Sequence, residues 1–500
     1  MNARSEAGAG SRTESGSHED AAGRTGAVGR AESAGQDDAV GRTDEGGRTG
    51  DIGRTDAVGW DEDGAWRTAA WRSGSGARAP RRVAVADDRM AADLAYKLVC
   101  EGTALLWRGD YHGARQLLAA LGRRVDRKPP KQGATPRESF HLYRQARTRR
   151  ARVLGMLLVP LETAADGSWA VPLRRAPRVG EACVEAYGAP PGPVGALTLV
   201  SLRELQGVLG AHEWRRKGVP IEALGGARIH PRHGVFSPVR GEYVDLVARA
   251  PLPRAAGAGS GKEAEPGTEA GPGKEAGARP EAGADGGGAP GGEGPGGLTA
   301  FDIGTGTGVL AAVLARRGVG RVTATDVGEQ ALACARENVA RLGVAQAVEV
   351  VRADLFPSRE TGRADLVVCN PPWLPAKPTS VLEQAVYDPD SRMLRGFLSG
   401  LGERLAPEGE GWLILSDLAE HLGLRPREQL LEWVSAAGLR VAGRLDARPE
   451  HARATDPAAP LHAARAAETT SLWRLRHAED RPAGEPAPPA VPLGPASDER

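Results

Sequence analysis

Residues 298–308 read Leu-Thr-Ala-Phe-Asp-Ile-Gly-Thr-Gly-Thr-Gly, and this stretch decides the predicted fold. An apolar run ends at Asp302–Ile303, glycines follow at every second position, and an apolar helical pattern begins at Val309. Glycine lets the backbone turn tightly and approach a ligand with no Cβ in the way. A glycine-rich turn from a strand into a helix is typical of nucleotide-binding α/β sheets.

The chain from 298 to 477 alternates short apolar runs with amphipathic stretches. This rhythm predicts a doubly wound, Rossmann-like α/β domain with a seven-stranded sheet, in which ligands bind beyond the carboxyl ends of the strands. The predicted strands are Leu298–Ile303, Arg321–Thr325, Ala347–Val351, Ala364–Cys369, Gly411–Ser416, Gly438–Leu445 and Thr470–Leu475. The predicted helices are Gly308–Arg317, Glu329–Leu342, Arg392–Leu405 and Arg427–Ala436.

Composition divides the remaining chain into four segments. Glycine, proline or both are enriched in residues 1–86, 254–297 and 478–500. These segments make up less than a third of the chain of 500 but hold 34 of its 68 glycines and 12 of its 37 prolines. Such segments bury too little apolar surface to offset their ordering. We therefore predict a disordered N-terminal segment, a Gly/Ala/Glu/Pro linker or insertion, and a disordered tail. Residues 87–253 are predicted to form an N-terminal α+β domain.

Apolar spacing gives the expected elements of this N-terminal domain. They are a helical region over Asp87–Arg127 that includes Leu105, a helix over Phe140–Arg152, a strand over Val153–Val159 ending at Pro160, a strand over Ala196–Leu202 and a helix over Leu202–Leu209. Five arginines lie between 144 and 152, and a smaller basic cluster lies at 211–218. These clusters either bind phosphates of a nucleic acid or form solvated helix faces.

Charge and cysteine content exclude several kinds of site. The net charge of +1 favours no class of partner, so any basic surface must be local. Four cysteines without a Cys-x-x-Cys pair indicate neither a disulfide framework nor a zinc site, and no metal is predicted. No apolar run approaches the ~20 residues of a membrane span, and the N-terminus has no apolar signal region. We therefore expect a cytoplasmic protein that does not contact membranes.

Acidic residues follow three successive strands of the predicted sheet. Asp302 at the glycine turn would repel a pyrophosphate but suits the ammonium group of a methionine moiety. Val309 stands where the third glycine of a dinucleotide-binding turn would fall, yet the glycine motif alone leaves a nicotinamide enzyme open. Asp326 can accept hydrogen bonds from two ribose hydroxyls in either class of protein. Asp354 can accept one from an adenine amino group, with Leu355 against the ring.

The fourth predicted strand ends in Asn370-Pro371-Pro372-Trp373, which elsewhere would indicate a simple turn. The side-chain carbonyl of Asn370 and the backbone carbonyl of Pro371 can each accept one N–H of an amino or amide group. These bonds direct the nitrogen lone pair toward an electrophile, and the prolines keep both acceptors rigid. Trp373 offers a flat face on which a base or an amide plane stacks. Such a transfer depends on positioning and requires no metal.

In this order, the glycine turn, Asp326, Asp354 and Asn-Pro-Pro-Trp resemble class I S-adenosylmethionine-dependent methyltransferases of the "methyltransferase small domain" type. That group is similar to release-factor glutamine methyltransferases and to adenine and guanine amino methyltransferases of DNA and RNA. The resemblance covers about 298–477 and implies S-adenosyl-L-methionine as the cofactor. It assigns the target nitrogen to Asn370, Pro371, Pro372 and Trp373. It assigns cofactor binding to Asp302, Gly304, Thr305, Gly306, Thr307, Gly308, Asp326, Val327, Asp354, Leu355 and Asn370.

The same resemblance bears on the substrate. Trp373 departs from the Tyr or Phe that is common in these groups, so the motif alone leaves the substrate open. Residues 233–240 resemble the segment that covers the cofactor in this family. Phe236, Pro238 and Arg240 are therefore candidates either for lining the substrate site or for packing between domains. The resemblance also implies that the N-terminal domain sets specificity.

The sequence thus predicts an N-methyltransferase whose substrate is a nucleobase in RNA or DNA, or alternatively a protein glutamine. An NAD-dependent oxidoreductase would leave Asn370–Trp373 unexplained. An inactive binding module should show eroded motifs, and none of the motifs above is eroded. Nothing in the sequence indicates the oligomeric state.

Overall fold

A computed structural model describes the chain over residues 57–253, 297–378, 381–449 and 461–479. Most of the segments predicted to be disordered or to form a linker lie outside these ranges. In the described ranges the strands form two seven-stranded sheets and one two-stranded ribbon. No helix in these ranges is long and apolar enough to cross a bilayer.

The first sheet, called here the N-terminal sheet, mixes parallel and antiparallel pairs. Its strands are β1 (Ala57–Glu62), β2 (Ala65–Trp71), β3 (Val83–Ala86), β4 (Ala104–Trp107), β5 (Leu157–Thr163), β6 (Trp169–Ala170) and β7 (Leu197–Ser201). The helices beside it are α1 (Ala92–Cys100), α2 (Tyr111–Asp126), α3 (Pro136–Gly155), α4 (Gly180–Tyr187) and α5 (Leu202–Lys217). The strand order is β1-β2-β7-β5-β4-β3, and β6 pairs with β5.

The prediction that the N-terminal segment is disordered is wrong for residues 57–86. This stretch forms β1, β2 and β3, and the side chains of Trp60 and Trp71 are buried. In β1 the buried residues Val58 and Trp60 are two apart, so both point to the same face of the sheet. The glycine- and arginine-rich composition around this short alternation hid it. Residues 1–56 lie outside the described ranges.

Two other predictions for the N-terminal domain are wrong in detail. Leu105 lies on β4, fully buried, so the predicted helical region is a helix, a strand and a second helix. Strand β5 begins at Leu157 and contains Pro160, whereas Val153 still belongs to α3. A short apolar strand has the same composition as the buried face of a helix, so apolar spacing does not separate them.

The second sheet, called here the C-terminal sheet, confirms the predicted seven-stranded α/β architecture. Its strands are β10 (Thr299–Ile303), β11 (Arg321–Asp326), β12 (Val348–Arg352), β13 (Ala364–Cys369), β14 (Leu405–Ser416), β15 (Leu439–Ala447) and β16 (Thr470–His477). Its helices are α7 (Val309–Arg316), α8 (Glu329–Arg341), α9 (Val381–Gln384), α10 (Arg392–Arg404), α11 (Leu418–His421), α12 (Arg427–Ala436) and α13 (His462–Ala466). The order is β12-β11-β10-β13-β14-β16-β15, with β16 antiparallel to both neighbours.

The boundary between the two parts lies earlier than the predicted residue 253. Between them are the ribbon strands β8 (Val219–Pro220) and β9 (Arg228–Ile229) and helix α6 (Glu242–Arg249). Buried residues of these elements, such as Ile229 and Val247, share one apolar cluster with Leu314 of α7 and Trp412 of β14. The stretch from 219 to 250 therefore belongs with the C-terminal sheet, because its apolar side chains complete that core.

The basic cluster at 211–218 contributes to contacts between the two parts. Arg215 of α5 pairs with Glu185 of α4 at 3.1 Å and with Glu337 of α8 at 2.9 Å. The ring Nδ1 of His230, which belongs with the C-terminal sheet, lies in hydrogen-bond contact with the Arg215 carbonyl at 2.6 Å. An arginine held by two carboxylates has little capacity left for phosphate, so Arg215 is part of the packing between domains.

Candidate active site

The glycine turn links the carboxyl end of β10 to the start of α7. Gly304, Gly306 and Gly308 all have positive φ, a conformation that is costly for residues with a Cβ. A Cβ on Gly308 would also lie 3.1 Å from the Cα of Ala335, where α7 begins against α8. The backbone N–H of Thr305 donates to the carbonyl of Thr325 at the end of β11, which joins the turn to the neighbouring strand.

Asp302 lies beneath this turn, and its side chain is 1% exposed. One carboxylate oxygen accepts from the Thr305 hydroxyl at 2.6 Å and from the backbone N–H of Ala311 at 3.1 Å. Burial raises the pKa of Asp302 to about 6. The carboxylate therefore holds the turn in shape and also places a negative charge at the end of β10.

A substitution at Asp302 tests this burial through the pH dependence of stability. The folded pKa of about 6 exceeds the unfolded value, so the contribution of Asp302 to stability is full below about pH 4 and is lost as the pH rises through about 6. Between about pH 5 and pH 8 the loss amounts to about 1.4 kcal/mol. Asp302→Asn cannot ionise, so its Tm relative to wild type is expected to rise across this interval in thermal unfolding of both proteins. A constant difference in Tm would contradict the proposed burial.

Asp326 ends β11 on the same side of the sheet. Its two carboxylate oxygens accept from the backbone N–H groups of Gly306, at 3.0 Å, and Gly328, at 2.9 Å. Burial raises the pKa of this carboxyl as well. Each oxygen retains a further lone pair, so the group can still accept from a diol. The adjacent Val327 is an exposed apolar side chain, suited to cover a planar ring.

The loop after β12 brings two more predicted residues to this edge. Asp354 is exposed, and Leu355 adopts a φ of 66°, which is uncommon for a residue other than glycine. The Thr325 hydroxyl donates to the Leu355 carbonyl at 2.6 Å and fixes this conformation. The structure thus brings together Asp302, Thr307 and their neighbours in the glycine turn with Asp326, Asp354 and Leu355.

Asn370 follows β13, the strand next to β10. Its side-chain oxygen accepts a hydrogen bond from the indole N–H of Trp373 at 2.9 Å. Pro371 is buried, and Pro372 and Trp373 are half-buried. The Trp373 indole therefore orients the amide of Asn370, a contact that the sequence did not reveal because both residues were expected to face the substrate.

A Trp373→Phe variant isolates this contact. Phenylalanine keeps an aromatic face but lacks the indole N–H, so the Asn370 amide loses the group that orients it. We expect kcat for methyl transfer to fall about tenfold, the value of one hydrogen bond. Steady-state kinetics at saturating cofactor measure this effect, and the Kd for the cofactor should stay within about twofold. An unchanged kcat would remove the orienting role.

Arg425 and Asp388 hold the Asn-Pro-Pro-Trp loop from the opposite side, and sequence analysis missed both. Arg425 is 4% exposed and donates to the Ser391 hydroxyl at 3.3 Å and to the Trp373 carbonyl at 3.5 Å. Asp388 accepts from the first backbone N–H groups of α10, and its own N–H donates to the Leu374 carbonyl. Nothing in the local sequence distinguishes these charged residues from surface loop residues.

The three candidates that precede the glycine turn, Phe236, Pro238 and Arg240, lie in different environments. Arg240 lies with its guanidinium 5.9 Å from the Trp373 ring centroid and pairs with the fully buried Glu468 at 3.1 Å. Pro238 is buried and Phe236 is exposed. Arg240 therefore packs on the motif. The sequence did not predict Glu468 as the partner of Arg240, because the two residues lie 228 positions apart.

Comparison with known proteins identifies the domain that contains this geometry. Residues 296–418 match the family described as Methyltransferase small domain. These residues form a methyltransferase small domain. The acidic, glycine-rich edge fits the S-adenosyl-L-methionine that the sequence resemblance implies, because it offers carboxylate acceptors for hydroxyls, an exposed apolar side chain at Val327 and backbone space at Gly306.

The methyltransferase small domain has several curated relatives. A release factor glutamine methyltransferase of Cereibacter sphaeroides is 37% identical over 153 residues, which cover 30% of this chain and 51% of the relative. A ribosomal protein L11 methyltransferase of Pelotomaculum thermopropionicum is 53% identical over 76 residues, covering 15% and 24%. A tRNA1(Val) (adenine(37)-N6)-methyltransferase of Bacteroides thetaiotaomicron is 31% identical over 128 residues, covering 24% and 54%. The chain thus spans about half or less of the length of these relatives.

Solved structures also resemble the methyltransferase small domain. A ribosomal protein L11 methylase from Lactobacillus delbrueckii has a TM-score of 0.24 at 17% identity and covers 36% of this chain and 70% of its own. A putative RNA methyltransferase from Pyrococcus horikoshii has a TM-score of 0.26 at 22% identity, with coverages of 36% and 75%.

Proposed function

We propose that this chain transfers a methyl group from S-adenosyl-L-methionine to a planar amino or amide nitrogen at Asn370–Trp373. The observation that carries the proposal is the Asn370 amide, fixed by the Trp373 indole at the end of β13. Strand β13 pairs directly with β10, which ends in the glycine turn. The target nitrogen and the cofactor would therefore meet across two neighbouring strand ends.

The bound cofactor would supply an electrophilic sulfonium methyl group, and the chain would supply position. Asn370 and the Pro371 carbonyl accept the two N–H groups of the target nitrogen, so that its lone pair points along the line of displacement. The proline pair limits motion of the acceptors, which removes part of the cost of orienting them during the reaction. The excess proton leaves from the methylated nitrogen to solvent.

Cofactor binding is proposed for the residues at the carboxyl edge of β10, β11 and β12. Asp326 accepts from the ribose hydroxyls, Val327 and Leu355 cover the adenine ring, and Asp354 accepts from its amino group. The glycine turn receives the methionine part of the cofactor, with the charge of Asp302 beneath it. The remaining proposed contacts are Gly304, Thr305, Gly306, Thr307, Gly308 and Asn370.

For the substrate we propose a nucleobase in RNA or DNA, with a protein glutamine as the alternative. The relatives support both, since their names include a tRNA adenine-N6 enzyme and release factor glutamine enzymes. We place the reaction in the cytoplasm, which suits four free cysteines. The family match gives no support to an oxidoreductase.

A methyl-transfer assay, in which the cofactor carries a tritiated methyl group, tests this proposal. The enzyme would be offered total RNA, DNA and protein from cells that lack the gene, with Asn370→Ala as the inactive comparison. Arg321→Ala is a matched control, because Arg321 is exposed at the amino end of β11, away from the site. We expect label in nucleic acid with wild type and the control variant only. Label in none of the fractions would contradict the proposal.

A further inference from the structure

A groove of about 650 Å³ runs between α3 of the N-terminal domain and the loop that follows Trp373. On the loop side it is lined by Pro375, Ala376 and Lys377. Pro375 is two residues beyond Trp373, so the groove begins at most about 7 Å of chain from the motif. The α3 side consists of His141, Arg144, Gln145, Thr148, Arg149 and Arg152.

The ionisable side chains that line this groove are all basic. Its lining contains three arginines, one lysine and one histidine, and no acidic side chain among the described residues. Arg149, Arg152 and Lys377 are exposed, and within the part of the chain that the structure describes none of them forms an ion pair. By contrast, Arg150 on the adjacent side of α3 pairs with Asp126 at 2.8 Å. Arg144 also lines the groove, but it pairs with Glu383 at 3.6 Å. Among the described residues, the groove cations without an ion pair are therefore Arg149, Arg152 and Lys377.

Two kinds of contact fix the position of α3 against the loop that follows Trp373. Arg144 donates to the Lys377 carbonyl at 2.6 Å and stacks 3.9 Å from the Tyr387 ring centroid. Phe140 of α3 is buried in one apolar cluster with Leu374 and Tyr387. Because an aromatic core and a guanidinium hold the helix there, the groove is a preformed surface beside the motif.

We propose that this groove binds the phosphodiester backbone of a single-stranded nucleic acid whose target base enters the Asn370 site. The inference rests on the proposed function and names its substrate class. Cations without carboxylate partners neutralise phosphates and release counterions, whereas a neutral glutamine peptide offers them no partner. A single strand fits because its bases are free to leave the stack and reach Asn370 beside the groove.

Fluorescence anisotropy with labelled single-stranded RNA and DNA of mixed sequence tests this proposal. The groove variant combines Arg149→Glu with Arg152→Glu. The matched control combines Arg321→Glu with Arg341→Glu, which changes the net charge equally on exposed arginines at the other end of the C-terminal sheet. Lys377→Glu probes the loop side of the groove separately. Cofactor affinity of each variant verifies that the methyltransferase domain is intact.

We expect the groove variant to lose at least about 30-fold in affinity for one or both nucleic acids at low salt, and the control to lose less than about threefold. The slope of log K against log salt should become shallower by about 1.4 for two lost phosphate contacts on a single strand. Lys377→Glu should weaken binding in the same direction. The RNA and DNA arms show which polymer is preferred.

Equal losses in the groove and control variants, or unchanged binding in the groove variant, would overturn the inference. So would methylation of protein that the groove variant leaves intact, and in that case the proposed methyl transfer would stand. If the groove binds nucleic acid but wild type transfers no methyl group to any fraction, the proposed methyl transfer is contradicted. Binding of nucleic acid in the groove is then retained.

Discussion

Replacing Asn370 by alanine is expected to lower kcat for methyl transfer about a thousandfold, with less than about a threefold change in the Kd for S-adenosyl-L-methionine. The variant removes an acceptor that acts on the target nitrogen, and it leaves the Trp373 N–H without its partner. Asn370 is one of many proposed cofactor contacts, and the others, including the turn and Asp326 with their mutual hydrogen bond, are kept in this variant. The main loss is therefore on the substrate side of the site. Single-turnover kinetics with tritiated cofactor and calorimetric titration measure the two quantities.

Asn370→Asp serves as the matched comparison for this loss. A carboxylate keeps acceptor oxygens at the same position and can still accept the Trp373 N–H. We therefore expect it to retain at least about ten times the activity of the alanine variant. A result in which Asn370→Ala turns over as fast as wild type would show that Asn370 does not position the target nitrogen.

Replacing Asp326 by alanine is expected to raise the Kd for the cofactor at least about a hundredfold. The carboxylate is the proposed acceptor for two ribose hydroxyls, and each hydrogen bond to a charged group is worth about 1.5–3 kcal/mol. Its loss would also release the backbone N–H groups of Gly306 and Gly328 that it now holds. Isothermal titration calorimetry with S-adenosyl-L-methionine measures the change directly.

Turnover at saturating cofactor separates this effect from that of Asn370. Because Asp326 does not contact Asn370, kcat of the Asp326→Ala variant should recover to within about tenfold of wild type once the cofactor saturates. Asp326→Asn should bind with intermediate affinity, since it keeps one acceptor oxygen. Unchanged affinity in both variants would place the ribose elsewhere.

The strands of the C-terminal sheet were predictable because a parallel strand buried on both faces is a continuous apolar run. β13, with every residue buried, is the clearest example. The candidate residues at the ends of β10, β11 and β13 followed from the same pattern, since parallel strands present their carboxyl ends at one edge. Their individual roles remain predictions.

Other features could not be predicted because they depend on contacts between distant parts of the chain. The pairing of Arg240 with Glu468 and the anchoring of Trp373 by Arg425 join residues that carry no local signal. The burial of Trp60 depends on the other strands of the N-terminal sheet, which the composition around it concealed. The orientation of α3 beside Pro375 likewise arises from packing between domains.

The position of the transferred methyl group tests the central claim most directly. Cofactor with a trideuterated methyl group would be incubated with wild type and the preferred substrate fraction, and the digested product analysed by mass spectrometry. We predict the labelled methyl on an exocyclic nucleobase nitrogen, and its absence with Asn370→Ala. A label on carbon or oxygen, or the same labelled nitrogen with Asn370→Ala, would contradict methyl transfer to a nitrogen held by Asn370.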